Sequence, residues 1–183
     1  MKTTLITGGA RSGKSRFAQD MAAKSGKSVL FVATAQAGDD EMLQRIEAHR
    51  KSRPSDWRTL ESPIRVGEHI QARIGSSEVV VVDCITLLVN NAIGKFLSAD
   101  GTDIDEAKAE DAVTQEIDGL IRCIDNVSAD FIVVTNEVGL GLVPDNKLGR
   151  VYRDLLGKAN QQLAQVADEV DFMVSGLPMK LKH

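Results

Sequence analysis

A chain of 183 residues, of which 43% are hydrophobic and 26% charged, has the length and composition of one soluble globular domain. Its net charge of −4 and aromatic content of 4% argue against the basic, base-stacking surfaces of nucleic-acid-binding proteins. No apolar run reaches the length of a membrane span, and the first predicted strand begins too early for a signal peptide. The cysteines, Cys84 and Cys123, lack metal-ligand spacing and a disulfide framework, so we expect a cytoplasmic protein with reduced thiols.

The most informative segment follows the first predicted strand. Residues 3–7 form an apolar, β-branched run, and residues 15–22 carry an apolar stripe at helical spacing. Between them the sequence fits the phosphate-loop pattern G-x-x-x-x-G-K-[ST] with Gly8, Gly9, Ala10, Arg11, Ser12, Gly13, Lys14 and Ser15. Such a loop cradles a polyphosphate on backbone N–H groups at the positive end of a helix. The alternative is a glycine-rich turn that binds nothing.

Two residues of this loop have predicted side-chain roles. Lys14 is expected to reach the β- and γ-phosphates of a bound nucleotide, and Ser15 to ligate Mg²⁺ through its hydroxyl. Both expectations depend on a strand before the loop and a helix after it, which the flanking patterns predict.

The remaining elements alternate between apolar strands and amphipathic helices. Strands are predicted at residues 28–33, 78–82, 131–135 and 170–174. Helices are predicted from Asp39 or Asp40 through His49, from Pro63 through Ile74, after Asp103 or Asp105, and from about Asn146 to Val166. This alternation predicts an α/β fold, namely a P-loop NTPase-type three-layer sandwich with a mainly parallel central sheet. We expect a single domain over residues 1–183, with residues 98–103 as a polar loop inside it.

A second phosphate-site signal closes the third predicted strand. Four valines at residues 79–82 are followed by Asp83, which is typical of a buried strand with a Walker-B carboxylate at its end. Asp83 would then hold Mg²⁺ together with Ser15, either directly or through water. An acid that merely ends a strand is the alternative.

Several segments, taken in order, resemble one enzyme family. They are residues 7–15, 33–36, 39–42, 45–50, 53–54, 57–59, 61, 83–86, 134–144 and 174–176. The family is the bifunctional adenosylcobinamide kinase / adenosylcobinamide-phosphate guanylyltransferase of cobalamin biosynthesis. The blocks around His49 and from Asn136 to Pro144 are its most specific matches, and the resemblance covers nearly the whole chain.

The resemblance implies two reactions and a set of partners. ATP or GTP phosphorylates the hydroxyl of adenosylcobinamide, and GTP then gives its GMP moiety to the new phosphate, releasing pyrophosphate. The products are adenosylcobinamide phosphate and adenosylcobinamide-GDP. Mg²⁺ is the implied cofactor, and the implied assembly is a ring-like homotrimer.

The resemblance also implies residue roles. His49 matches the position that carries GMP covalently, and GTP-binding positions are matched by Ala33, Thr34, Ala35, Arg50, Lys51, Ser52, Arg53 and Glu61. A neutral imidazole suits attack on an α-phosphorus, and neighbouring cations suit a triphosphate. By pattern alone, a histidine at this position is more often a packed or capping residue than a nucleophile, and the alternative for the cations is a solvated helix end.

Glu137 and the overall activity leave alternatives open. Glu137 follows the strand at 131–135, so it is a candidate for orienting the cobinamide hydroxyl, or else a carboxylate that caps a loop. A P-loop ATPase or GTPase that works as a hydrolytic switch is the main alternative activity, and a regulatory nucleotide-binding module without chemistry is another.

Overall fold

The structure is a computed structural model that describes residues 1–36 and 53–183. In these residues the strands are β1 (Thr3–Gly8), β2 (Val29–Ala33), β3 (Arg58–Glu61), β4 (Val79–Asp83), β5 (Asp130–Val134), β6 (Glu169–Val174) and β7 (Leu177–Lys182). The helices are α1 (Lys14–Lys24), α2 (Val66–Arg73), α3 (Ile85–Ile93), α4 (Glu106–Asn126) and α5 (Lys147–Val166). A short 3₁₀ helix, Gly94–Phe96, follows α3.

The seven strands form one sheet in the order β3-β2-β4-β5-β1-β6-β7. Neighbouring strands from β3 to β6 pair in parallel, and β7 returns antiparallel to β6. Parallel neighbours require crossover connections, which the described helices provide between β1 and β2 and from β3 to β6, whereas the connection from β2 to β3 lies largely outside the described residues. The predicted α/β fold with a mainly parallel sheet is therefore confirmed.

Alternating side chains of the strands build a core on each face of the sheet. Leu5 and Val80 point to the face covered by α2, α3, α4 and α5, whereas Ile6 and Val81 point to the face covered by α1. All four side chains are at most 2% exposed. Strands buried on both sides explain the continuous apolar runs that predicted them.

Local sequence signals set the starts of the two long helices. The carboxylate of Asp105 accepts a hydrogen bond from the Lys108 N–H at 3.2 Å, and the Asn146 side chain accepts one from the Gly149 N–H at 2.6 Å. Both caps satisfy backbone donors that the first turn of a helix leaves open. Asp105 and Asn146 were both among the predicted helix starts.

Three elements of the structure were not predicted. The edge strands β3 and β7 and the helix α3 fall in segments that were assigned no regular structure. The helix predicted from Asp39 or Asp40 through His49 lies outside the described residues. Within the described ranges, no helix combines the length and apolarity needed to cross a membrane.

Candidate active site

The loop between β1 and α1 folds around the side chain of Lys14. The Lys14 ammonium donates hydrogen bonds to the Gly9 carbonyl at 2.6 Å and to Ser12 Oγ at 3.4 Å, and the residue is only 7% exposed. Burial lowers the pKa of Lys14 from its ordinary value, against the opposing influence of Cys84 and Asp83. The loop thus holds a cation underneath the backbone groups that would face a phosphate.

Two loop glycines allow the loop to pack against the far end of the sheet. Gly8 has a φ of 145°, and a Cβ there would lie 2.5 Å from the carbonyl oxygen of Met173 in β6. Gly13 has a φ of 97° and approaches Gly176, in the turn between β6 and β7. The Gly176 N–H donates to the Ser12 carbonyl at 3.0 Å, so this turn supports the phosphate loop from behind.

The strand register brings Asp83 to the same edge as the loop. Asp83 pairs with Ala33 of β2 on one side and with Val134 of β5 on the other, so the three residues share one row at the carboxyl edge of the sheet. Thr34, fully buried, fixes the chain after Asp83, because its hydroxyl donates to the Cys84 carbonyl and accepts from the Cys84 N–H, both at 2.7 Å. Thr34 therefore holds in place the backbone that follows Asp83 at this edge of the sheet.

A cavity of about 550 Å³ opens at this edge, within the size range of small-molecule sites. Predicted site residues that line it are Ala10, Arg11, Ser12, Gly13, Lys14, Ser15, Ala33, Ala35, Arg53 and Asp83. Further lining residues are Arg16, Cys84, Thr86, Leu87, Val134 and Asn136. His49, Arg50, Lys51 and Ser52, which were predicted to join this site, lie outside the described residues.

Arg53 approaches the cavity over an aromatic platform. Its guanidinium carbon lies 3.8 Å from the centroid of the Phe31 ring, and Phe31 stacks with Trp57 at a centroid distance of 6.4 Å. A guanidinium held on an aromatic face keeps its N–H donors in a defined plane, which suits phosphate or carboxylate recognition. The geometry is compatible with the predicted role of Arg53 in nucleotide binding.

Two lining residues, Thr86 and Asn136, belong to a polar network that the sequence did not reveal. The Asn136 N–H donates to Thr86 Oγ1 at 2.8 Å, and the Asn160 side chain donates to the Asn136 carbonyl at 3.0 Å. The Asn160 amide oxygen also accepts from the hydroxyl of Thr135 at 2.7 Å, and the Tyr152 hydroxyl donates to the Thr86 carbonyl at 3.2 Å. Helix α5 thus fixes the part of the cavity wall that contains Thr86 and Asn136.

Glu137 and Glu61 stand apart from the cavity lining of the described residues. The Glu137 carboxylate accepts a hydrogen bond from the Gly139 N–H, and the Glu137 N–H donates to the Gly8 carbonyl at 2.9 Å. This is the contact expected of a loop-capping carboxylate, and the role of Glu137 towards a substrate hydroxyl stays a prediction. Glu61 ends β3 beside Ala33.

Oxygen ligands for a divalent cation meet in the cavity. The Ser15 hydroxyl and the Asp83 carboxylate both line it, and residues 1–36 and 53–183 contain no cluster of three or more acidic, histidine or cysteine side chains with metal-site geometry. Mg²⁺ typically takes only one or two ligands from the protein and leaves its other positions to phosphate oxygens and water. Ser15 and Asp83 fit this pattern. Cys84 is a poor ligand here, because burial, aided by Asp83, raises the pKa of its thiol to about 11.

Comparison with known proteins identifies close relatives. The family model described as cobinamide kinase / cobinamide phosphate guanyltransferase matches residues 4–181. A bifunctional adenosylcobalamin biosynthesis protein CobU from Escherichia coli is 45% identical over 179 residues, which are 97% of this chain and 98% of the relative. CobU from Salmonella typhimurium is 42% identical with the same coverage. A bifunctional adenosylcobalamin biosynthesis protein CobP from Pseudomonas aeruginosa is 42% identical over 97% of this chain and 96% of its own.

Proposed function

Because this chain belongs to the cobinamide kinase / cobinamide phosphate guanyltransferase family, we propose that it catalyses both reactions on adenosylcobinamide. ATP or GTP would phosphorylate the substrate hydroxyl, and GTP would then convert the product to adenosylcobinamide-GDP and pyrophosphate. The observation that carries the proposal is one cavity that holds the buried Lys14, the Ser15 hydroxyl and the Asp83 carboxylate.

In the first reaction the substrate hydroxyl oxygen attacks the γ-phosphorus, and the bond to the leaving nucleoside diphosphate breaks. Backbone N–H groups from Gly9 to Lys14 cradle the phosphates, while the Lys14 ammonium exchanges its contact with the Gly9 carbonyl for the β- and γ-phosphate oxygens. The proposed gain in rate comes from positioning and from charge stabilisation by groups that the fold holds in place before the nucleotide binds.

A bound Mg²⁺ would neutralise charge on the phosphates and on the leaving group. The residues that would hold it are Ser15, through its hydroxyl, and Asp83, through its carboxylate. Thr34, which fixes the chain directly after Asp83, would keep that carboxylate at the edge of the sheet.

In the second reaction we propose that His49 carries the guanylyl group. A ring nitrogen of His49 attacks the α-phosphorus of GTP, and pyrophosphate leaves. An oxygen of adenosylcobinamide phosphate then attacks the same phosphorus, the P–N bond breaks, and the free imidazole returns. The positions Arg50, Lys51, Ser52, Arg53 and Glu61 belong to this proposed GTP site, together with Ala33, Thr34 and Ala35.

The experiment that tests the function separates the two reactions with labelled GTP. Purified protein incubated with α-labelled GTP should retain label after denaturation, and the label should be acid-labile and base-stable, as a P–N bond requires. GTP labelled at the γ-position should leave nothing on the protein. With adenosylcobinamide present, both phosphorylated and guanylylated corrinoids should form. Hydrolysis of GTP with neither adduct nor corrinoid product would instead indicate the hydrolytic switch.

The substitution His49→Ala should divide the activities. We expect adenosylcobinamide phosphate to accumulate, adenosylcobinamide-GDP formation to stop and the protein-bound label to disappear, because γ-phosphoryl transfer does not need the imidazole. His183→Ala, at the far end of the chain, is the matched control and should keep both activities. Guanylyl transfer at the normal rate in His49→Ala would remove His49 from the mechanism.

The resemblance also leads us to propose a homotrimer. Size-exclusion chromatography with light scattering measures the mass of the assembly directly. A homotrimer should have three times the mass of one chain, which is 19.8 kDa.

A further inference from the structure

Three large apolar side chains project from the loop that follows the cavity wall. Leu140 is 80% exposed, Leu142 is 96% exposed and Val143 is 65% exposed, all within four consecutive positions. Single exposed apolar residues are ordinary on protein surfaces, but a cluster of them marks a surface that contacts a ligand or another molecule.

The loop is anchored at both of its ends. On the entering side, Glu137 binds the Gly8 carbonyl through its N–H and the Gly139 N–H through its carboxylate. On the leaving side, the Arg150 guanidinium donates to the carbonyls of Pro144 at 3.1 Å and Asp145 at 2.7 Å. The apolar side chains therefore extend from a segment with fixed ends.

The loop begins at the cavity itself. Asn136 lines the cavity, and Leu140 comes four residues later, so the apolar cluster lies within a short reach of the cavity rim. From Val138 to Pro144 the loop carries no charged side chain. Its surface therefore suits an uncharged, largely apolar ligand.

The corrinoid substrate of the proposed function is large and partly apolar, so it needs an apolar surface outside the cavity. A corrinoid is a macrocycle that carries uncharged amide groups and has apolar faces with methyl groups. It is much bulkier than a nucleotide. A cavity of about 550 Å³ that would also have to hold a nucleoside triphosphate has no room for the macrocycle. The side chain that bears the reacting hydroxyl must enter, while the ring stays outside.

We infer that Leu140, Leu142 and Val143 form the docking surface for the corrin ring, so that the hydroxyl-bearing arm reaches past Asn136 into the cavity. The inference rests on the proposed function for the identity of the ligand. Burial of three apolar side chains against the ring supplies binding energy remote from the reacting atoms, which orients the hydroxyl for transfer.

The test compares a polar with an apolar double variant of the loop. Leu140→Ser with Leu142→Ser removes the apolar surface, whereas Leu140→Met with Leu142→Met keeps it. We expect the serine variant to raise both the KM for adenosylcobinamide and the Kd for cobinamide by about tenfold or more. The KM for GTP should not change, and the methionine variant should match the unaltered protein.

Cobinamide binding is measured by equilibrium dialysis through its visible absorbance, so the readout does not depend on turnover. Equal Kd values for the serine variant and the unaltered protein would overturn the inference. So would a change of oligomeric state in the serine variant by light scattering, since the loop would then be a contact between copies of the chain. A third outcome separates the two proposals. If the serine variant loses cobinamide binding and the unaltered protein does not phosphorylate adenosylcobinamide, the docking surface is supported and only the proposed function is refuted.

Discussion

At the scale of single residues, the site depends on a few charged groups that are withdrawn from water. Lys14 satisfies its ammonium with the Gly9 carbonyl and the Ser12 hydroxyl while it is nearly buried. A buried cation that donates hydrogen bonds to neutral oxygens interacts strongly with an anionic ligand, because little solvent screens it. This is the basis of the first residue-level prediction.

Lys14→Ala should reduce both the kinase and the guanylyltransferase rate by about a hundredfold or more, because it removes the cation at the β- and γ-phosphates. The rates are measured with saturating corrinoid over a range of GTP concentrations. Lys24→Ala, on the exposed end of the same helix, should leave both rates unchanged. Normal turnover in a folded Lys14→Ala protein would contradict the assignment.

Asp83→Asn keeps the side-chain volume and removes the negative charge beside the loop. We expect nucleotide binding to survive, and the Mg²⁺ concentration needed for half-maximal activity to rise by about tenfold or more. A Mg²⁺ titration of both reactions measures this, with the exposed Asp125→Asn as control. If the titration curve is unchanged, Asp83 is a structural acid at the end of its strand.

The position of the phosphate loop between β1 and α1 could be predicted from sequence because its motif is a local spacing, whereas its role in phosphate binding stays a prediction. Asp83 could be predicted because it ends an all-valine strand. Thr86, by contrast, is held in the cavity wall by contacts with Asn136, fifty positions along the chain, and with the Tyr152 hydroxyl. Asn160 supports that wall from a helix whose sequence shows only an amphipathic pattern. Such tertiary hydrogen bonds leave no periodic signal in one sequence.

At the scale of elements, the amphipathic and buried segments were predictable and the edges were not. Strands β1, β2, β4, β5 and β6 are apolar runs because both of their faces are covered. The edge strands β3 and β7 carry charged or exposed side chains, as edges usually do, and therefore resemble loops. Only Cys84 separates the end of β4 from the start of helix α3, so the apolar residues of the helix merge with the strand in the sequence.

Helices α2 and α4 approach so closely that only glycine fits at their contact. A Cβ on Gly67 would lie 2.2 Å from the carbonyl oxygen of Gly119. Gly67→Ala should therefore lower the free energy of unfolding by about 3 kcal/mol, since a backbone carbonyl cannot turn aside as a side chain can. Urea denaturation measures the change.

Gly157→Ala is the matched control for this contact. A Cβ there meets nothing within 4 Å, and the residue lies inside helix α5. This substitution should raise the free energy of unfolding by about 0.5–1 kcal/mol, because alanine favours the helix. Equal stabilities of the two variants would show that the α2–α4 contact can relax.

At the scale of the whole molecule, the fold disfavours the thiolate form of both cysteines, although Cys123 is buried and Cys84 is half-buried in the cavity wall. Burial raises the pKa of Cys123 to about 11, and burial together with Asp83 does the same for Cys84. A raised thiol pKa keeps the neutral form dominant through pH 9, so the folded protein presents about a hundredfold less thiolate than an ordinary cysteine. The rates at which the two thiols are oxidised or alkylated should therefore rise when the protein unfolds.

Iodoacetamide labelling at pH 8 should be slow at both cysteines in the folded protein and about a hundredfold faster in urea. Mass spectrometry of tryptic peptides measures each site separately, and free glutathione in the same buffers corrects for the effect of urea on the reagent. A cysteine that labels in the native protein at its unfolded rate would have an ordinary pKa and an open path to solvent.

The position of β1 in the middle of the sheet has a consequence for how the chain folds as it is synthesised. β1 lies between β5 and β6, and the Gly176 N–H supports the phosphate loop at Ser12. The ribosome thus releases the proposed nucleotide-binding loop first and the segments that support it last. A nascent chain that has not reached residue 169 contains the loop but neither the strand nor the turn that holds it. The proposed nucleotide binding therefore needs strands that are synthesised last, and we expect the long-range pairing that places them to be a slow step of folding.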